Sequence, residues 1–265
     1  MAYRLPPYFD ALIAARWAGA VGRDVHHGLW DDPPALNVPP ASGEFDAAQI
    51  RLSERIVDHI PLTPGAAILD IACGFGGTLA ALDRRQEGLA LSGLNIDFRQ
   101  LALCRDAVNQ PGNRLTLVRA DACALPFAAA SFDHAVCVEA MFHFTSRQAF
   151  LTEAARVLRP GGMLAITDIL FRQPGSIDAA TIEAIIRREY GPWPELWIDP
   201  ASIQSSADRS GLDLIEYRDW SAATLPSYRT IAPNASGRPL NAGAMFRWLH
   251  GGGALTYGMF LLRRR

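Results

Sequence analysis

The segment Ile68-Leu69-Asp70-Ile71-Ala72-Cys73-Gly74-Phe75-Gly76-Gly77-Thr78 constrains this 265-residue chain more than any other. An apolar run enters a glycine-rich turn, and the turn enters a helical pattern. Gly74 and Gly76 allow backbone angles and close approaches that a Cβ would obstruct. Such a turn lets a cofactor lie against a strand end, near the amides that open a helix. A plain strand–helix connection has the same outline. Asp70 before the turn and the ordered residues after it narrow the choice.

Strands are expected at about 67–72, 90–95, 115–119, 134–139 and 163–169, with helices between them at about 76–84, 98–108 and 146–158. Repeated strand–helix–strand units make a parallel sheet with helices on both faces. Ligands of such sheets bind beyond the carboxyl ends of the strands. Two helices come first, at about 8–19 and 44–60, the second with Ile50, Ile56, Val57 and Ile60 on its apolar side. Arg159-Pro160-Gly161-Gly162 is expected as a turn before the fifth strand. Beyond that strand come some helix and aromatic loop, a strand at about 212–217, an insertion over 218–243 and a last strand at 254–263.

A net charge of −2 offers no phosphate-binding surface, so nucleic acid is not the expected partner. Arg263-Arg264-Arg265 is the one basic cluster and is expected as the solvated end of the last strand. Cys73, Cys104, Cys123 and Cys137 are scattered with no Cys-x-x-Cys pair, which suits reduced, mostly buried thiols and no structural metal. Neither a signal-peptide pattern nor a run of membrane-spanning length is present, so a cytoplasmic protein with no membrane partner is expected. Abundant Ala, Arg and Pro suggest a GC-rich bacterial source. Oligomeric state is not set by the sequence.

The glycine segment resembles motif I of the class I S-adenosylmethionine-dependent methyltransferases: an apolar pair, an acid, an apolar residue, a small residue, then Cys-Gly-x-Gly. A dinucleotide dehydrogenase prefers Gly-x-Gly-x-x-Gly, whereas Leu79 stands where its third glycine belongs. The resemblance spans about residues 20–170 and is densest over 66–170. It implies an α/β, Rossmann-like fold with seven mostly parallel strands, the last antiparallel, helices on both faces and a small helical and aromatic cap. The parts implied are an N-terminal helical lid (1–60), a cofactor-binding core (61–170), a cap insertion (171–211) and the rest of the core sheet with a second cap loop (212–265).

By that resemblance the cofactor is S-adenosylmethionine, leaving as S-adenosylhomocysteine, and Asp70, Ala72, Gly74 and Gly76 hold it. Asn95, Ile96 and Gln100 fall at the ribose and adenine side, where these enzymes often carry an acid. Asn both donates and accepts, so it satisfies a diol as well; Asp97 is a second candidate, and a strand-end turn is the other role open to Asn95. Gly93-Leu94-Asn95-Ile96 followed by Gln100 resembles the small-molecule methyltransferases of natural-product pathways. Asp121 is implied to accept from the adenine amino group, with the Ala122 amide facing the ring. Leu125-Pro126-Phe127 and Ser131-Phe132-Asp133 match a family segment whose phenylalanines are expected in the core. Glu139 falls beside the methyl donor, or else orders the glycine loop.

His26-His27-Gly28-Leu29-Trp30 resembles the N-terminal lid segment of tocopherol-type methyltransferases, placing His27 and Trp30 near the acceptor. No third ligand accompanies the paired histidines, so no metal site is implied. Glu139-Ala140-Met141-Phe142-His143-Phe144 and Thr167-Asp168 resemble the catalytic region of the rebeccamycin sugar O-methyltransferase group, although Phe142 stands where that group has a second His. A hydroxyl acceptor needs a base as its proton leaves, and a His suits that role. The resemblance makes His143 that base, with Asp168 orienting it or the acceptor; a His143 bonded to a loop carbonyl is the alternative. Phe142, Phe144, Trp193, Trp197 and Tyr228 are expected to wall the acceptor site, joined by Tyr190, Trp220 and Trp248, with Tyr228-Arg229 supplying a hydrogen bond and a charge. Aromatic walls suit an apolar or planar small molecule. The first expectation is O-methylation of a hydroxyl on a secondary metabolite. The second is C-methylation of a prenyl, terpenoid or aromatic carbon, with aromatics steadying a carbocation and Glu139 or His143 as the base. The third is a non-catalytic S-adenosylmethionine-binding regulatory or scaffold protein.

Overall fold

The computed structural model describes residues 5–33, 43–172, 179–228 and 242–265. Helices α1 (Tyr8–Trp17) and α2 (Glu44–Val57) come first. Then follow β1 (Ala67–Ile71), α3 (Gly77–Arg85), β2 (Ala90–Asn95), α4 (Phe98–Leu103), β3 (Arg114–Arg119) and β4 (Phe132–Val138). A 3-10 turn (Met141–His143), α5 (Arg147–Val157), β5 (Leu158–Phe171), α6 (Ala179–Glu189), α7 (Pro200–Arg209), β6 (Leu212–Asp219) and α8 (Ser221–Thr224) continue the chain. A last helix, Ala242–Gly251, leads into β7 (Leu255–Arg264).

The seven strands form one sheet in the order β3-β2-β1-β4-β5-β7-β6. β1 pairs in parallel with β2 on one side and β4 on the other, so the strand order reverses there and opens a crevice at the carboxyl ends. β7 runs antiparallel between β5 and β6, as the resemblance implied. Period-two alternation assigns neighbouring residues to opposite faces. Ala165, Ile169 and Phe171 of β5 join Leu52, Ile56, Leu79, Leu82 and Ile182 in one core. Leu164, Ile166 and Leu170 join Phe150, Leu151, Ala154 and Ile203 in the other. Helix starts are set locally: the side chains of Asp97, Ser146 and Asp199 accept from backbone N–H groups that the first turns of α4, α5 and α7 leave without intrahelical partners.

Two expectations need correction. Ile50 is 41% exposed, and the inner face of α2 is instead Ala48, Gln49, Leu52, Ser53, Ile56 and Val57. Arg159–Gly162 is a bulge inside β5, not a turn before it: Leu158 already pairs with Phe132, and the ladder resumes at Met163 opposite His134. The cysteines are free, with Cys123 half-buried and the other three buried. At the chain end Arg265 pairs with Asp208 and Asp213. No helix among the described residues is long and apolar enough to cross a membrane.

Candidate active site

The glycine turn builds one wall of a cleft at the β1–β4 reversal. Ala72 and Gly74 line it, both with positive φ. Gly76 has a different role from the one implied. It is absent from the lining, and a Cβ there would sit 2.8 Å from the Ala107 Cβ. Its φ of +87° lets the chain turn into α3 against that neighbour. Gly77 lines the cleft instead, and a Cβ on it would lie 2.1 Å from Asp24 Oδ1. The first turn of α3 therefore has the Asp24 carboxylate packed directly on its backbone.

Asn95, Ile96 and Gln100 line the next part of the cleft. Asn95 Nδ2 donates to Gln100 Oε1 at 3.0 Å, and Asn95 Oδ1 accepts from the Asp97 amide at 3.2 Å. Asp97 is not in the lining; it caps α4 and is bound to Arg99. Asp121 and Ala122 follow in the lining, and Asp121 Oδ1 accepts from the Cys123 amide at 2.8 Å, leaving Oδ2 for a ligand.

Asp70 lies at the base of the cleft with its Oδ2 buried and without a partner among the described residues. Burial pushes its pKa up to about 7, with Asp24 adding to the rise and His26 opposing it. An unpaired buried carboxylate oxygen beside a glycine cradle suits an ammonium group, and the amino acid moiety of S-adenosylmethionine carries one. Asn95 and Gln100 suit its ribose, and Asp121 its adenine amino group. Bound there, the cofactor supplies a sulfonium methyl to a nucleophile.

The N-terminal segment closes over this cleft. His26 bonds the Ser53 hydroxyl at 3.0 Å and faces Asp24 at 3.3 Å, while Ser53 also donates to Asp24. Burial opposes charge on both partners, yet their mutual attraction leaves Asp24 below and His26 above its ordinary value. The Gly28 amide donates to Ser227 and the Leu29 amide to the Ala48 carbonyl, so the segment is laced to the body on two sides.

A second cavity of about 820 Å³ opens beyond the cleft. Its lining includes Tyr8, Leu12, His27, Phe142, Tyr190, Trp193 and Phe246, with no arginine among the described residues that wall it. Phe142 lies 4.0 Å from Trp193 between ring centres, and Trp193 stacks on Phe246. Tyr8, Leu12, Asp24, Val25, His26 and Glu139 line both spaces, so cleft and chamber meet there.

Glu139 closes β4 with a φ of +49°. Its Oε1 accepts from His27 Nδ1 at 2.7 Å, and its Oε2 accepts from the His27 amide and from the Tyr257 hydroxyl, both at 2.9 Å. Burial alone would raise the Glu139 pKa; the ring and backbone amide of His27, with His26 behind, hold it below the ordinary carboxylate value. Both oxygens are thus committed to protein donors.

His143 lines the cleft with its Nε2 2.8 Å from the Tyr8 hydroxyl. Burial drives its pKa down to about 3, against a smaller upward pull from Glu139. The imidazole is neutral, but it holds a proton weakly. Asp168 does not orient it. Asp168 is fully buried, takes a two-point ion pair from Arg147 at 3.0 and 2.9 Å, and accepts from the Phe142 amide at 3.2 Å. It anchors the turn that carries His143 and lines neither space.

Among the aromatics, Phe142 and Trp193 face the chamber, and Phe144 lines the cleft against Phe150. Trp30 lines neither: it is buried on Phe45, with its indole N–H on Glu44. Trp197 packs against Phe171 and donates to Glu183. Tyr228 lies behind the wall, 4.6 Å from the His27 ring, with a buried hydroxyl that has no partner among the described residues. Trp248 is 45% exposed and Trp220 packs on His59. Arg229 lies outside the described residues. Tyr8, Asp24, Phe246 and Tyr257 were not anticipated, because no local motif marks them and only the fold assembles them.

Residues 69–166 match the family model of the methyltransferase domain. The chain is 34% identical over 215 residues to methyltransferase GfsG of Streptomyces halstedii, covering 79% of this chain and 73% of that one. It is 31% identical over 232 residues to the 27-O-demethylrifamycin SV methyltransferase of Amycolatopsis mediterranei, covering 86% and 79%. The geranyl diphosphate C-methyltransferase of Streptomyces coelicolor shares the fold, with a TM-score of 0.73 over 98% of each chain at 18% identity. With this fold and cleft, the chain belongs to the class I S-adenosylmethionine-dependent methyltransferases. S-adenosylmethionine is its methyl donor.

Proposed function

We propose that this enzyme methylates a hydroxyl oxygen on a bulky, largely apolar secondary metabolite. The observation that carries the reading is the junction at Glu139, where a cleft suited to the sulfonium cofactor meets a roomy aromatic chamber. Aromatic walls favour a macrocyclic or polycyclic acceptor over a small charged metabolite. The similarity to the enzyme for 27-O-demethylrifamycin SV supports an oxygen acceptor of this class. The chain's own contribution is to align the acceptor with the methyl group, exclude water and receive a proton; alignment alone is worth up to about 7–11 kcal/mol in model systems. Lid closure by residues 1–60 over the core of 61–170 belongs to the same proposal.

C-methylation is the second reading, favoured by the Phe142–Trp193–Phe246 stack, whose faces attract cations. The lack of arginine in the described chamber wall weighs against a diphosphate-bearing acceptor. The test is turnover with methyl-labelled S-adenosylmethionine on a panel of hydroxylated metabolites that includes 27-O-demethylrifamycin SV. A methyl ether product supports the proposal. A methyl group on carbon, or cofactor binding without turnover on any acceptor, overturns it.

A further inference from the structure

We propose that the proton acceptor is His27, held by Glu139 as a histidine–carboxylate pair, and that His143 with Tyr8 positions the acceptor instead. This inference rests on the methyltransferase reading and specifies its chemistry. The sequence offered His143 as the base because it follows the fourth strand. The structure offers a better-placed group 116 positions earlier in the chain.

The two ring nitrogens of His27 have different surroundings. Nδ1 is 2.7 Å from Glu139 Oε1, and the carboxylate, which accepts but does not donate, fixes the proton on Nδ1. In the neutral ring Nε2 is then the bare acceptor. It is buried and has no partner among the described residues, while His27 lines the acceptor chamber. Leaving such an atom unpaired is unfavourable, and an acceptor hydroxyl that reaches it by a small shift of the chamber wall would satisfy it. Glu139 cannot take the proton directly without losing donors, since its two oxygens already receive the His27 ring, the His27 amide and the Tyr257 hydroxyl. Tyr257 in turn lies 3.1 Å from the Thr167 hydroxyl, which ties the pair to β5. Every member of the assembly is therefore fixed on sheet or lid backbone.

The step balances. The acceptor oxygen forms its bond to the methyl carbon, the carbon–sulfur bond breaks and its electron pair stays on sulfur. The hydroxyl proton passes to His27 Nε2. The imidazolium so formed faces the Glu139 carboxylate, which stabilises it, and the proton later leaves to solvent. His143 is poorly placed to be the base, because its Nε2 already faces the Tyr8 hydroxyl.

The first test needs no acceptor. Nitrogen NMR of histidine-labelled protein saturated with S-adenosylhomocysteine should show His27 protonated on Nδ1 and bare on Nε2, and Glu139→Gln should erode that preference. A proton on Nε2, shared with Tyr228, would overturn the proposal. The second test uses the acceptor turned over in the panel. General-base loss typically costs about 10²- to 10⁴-fold, so His27→Gln should lower kcat by at least ~100-fold. S-adenosylhomocysteine affinity, read by calorimetry, should stay within about threefold, and free imidazole should restore part of the rate to His27→Ala. His143→Gln should lose far less kcat. A larger loss in His143→Gln than in His27→Gln would overturn the assignment. Failure of the O-methylation reading is separate, because it appears in the identity of the product and not in the ranking of these variants.

Discussion

Tyr8 on the first helix bonds His143 beyond the fourth strand at 2.8 Å, joining two elements 135 residues apart across the edge of the cofactor cleft. The pair makes the first helix part of the site. Tyr8 also meets Tyr190 at 5.2 Å, so the first helix, the turn after β4 and the end of α6 converge on one ring. Tyr8→Phe keeps the ring and removes the hydroxyl. A neutral hydrogen bond is worth about 0.5–1.5 kcal/mol net. Steady-state kinetics should therefore show kcat/KM for the acceptor falling about two- to tenfold, mostly through KM. An unchanged KM would show that the pair does not position the acceptor.

Asp70 should make cofactor binding pH-dependent. Its folded pKa of about 7 exceeds the ordinary 3.8, so the free protein gains stability from protonated Asp70 at low pH and loses it as pH rises from about 4 to about 7. Asp70→Asn should therefore raise the thermal midpoint of the free enzyme at pH 8 and change it little at pH 4. The ligand ammonium prefers the carboxylate, so wild-type affinity for S-adenosylhomocysteine should fall as pH drops below about 7. In Asp70→Asn the affinity should be about ten- to a hundredfold weaker, as expected for losing a charged hydrogen bond, and flat with pH below about 8, where the ligand's own ammonium begins to titrate. Calorimetry across pH 5–9 reads both effects.

Asp168 should behave as a structural residue. Removing one partner of a buried ion pair typically costs about 3–5 kcal/mol. Asp168→Ala leaves the buried Arg147 with only the more distant Glu195 carboxylate, at 3.6 Å, and should lower unfolding free energy by up to that order in urea titrations. Unchanged stability with a collapse in kcat would restore the catalytic role that the family resemblance implied.

Gly77→Ala should damage cofactor binding more than its size suggests. The added methyl would meet the Asp24 carboxylate, which Ser53 and His26 hold in place. Relief requires moving the N-terminal segment that carries His26 and His27. Calorimetry should show at least about tenfold weaker binding of S-adenosylhomocysteine, together with a larger fall in kcat. Near-wild-type values would mean that this segment yields easily.

The strand–helix alternation and the cleft wall of Asp70, Asn95, Gln100 and Asp121 were legible because each is local: a period, a turn, or a residue at a strand end; the antiparallel direction of the last strand came only from the family resemblance. The bulge at Arg159–Gly162 was not, because a Pro-Gly-Gly run looks the same whether the ladder pauses or begins there. Asp168 was misjudged because its partner Arg147 opens another helix, and nothing in the local sequence announces a buried ion pair. Trp30 and Trp197 carry the same apolar signature as Trp193, yet packing turned only Trp193 into the chamber. The His27–Glu139 contact spans 112 residues and exists only where the N-terminal segment packs against the end of β4.

The central claim is that the methyl donor sits where cleft and chamber meet, with the acceptor-side histidine across from it. A crystal structure with S-adenosylhomocysteine bound tests this most directly. The expected complex has the amino group on Asp70, the adenine at Asp121 and Ala122, and the sulfur beside Glu139, open to the chamber lined by His27, Phe142 and Trp193. A sulfur turned away from that chamber, or walled off from His27, would contradict it.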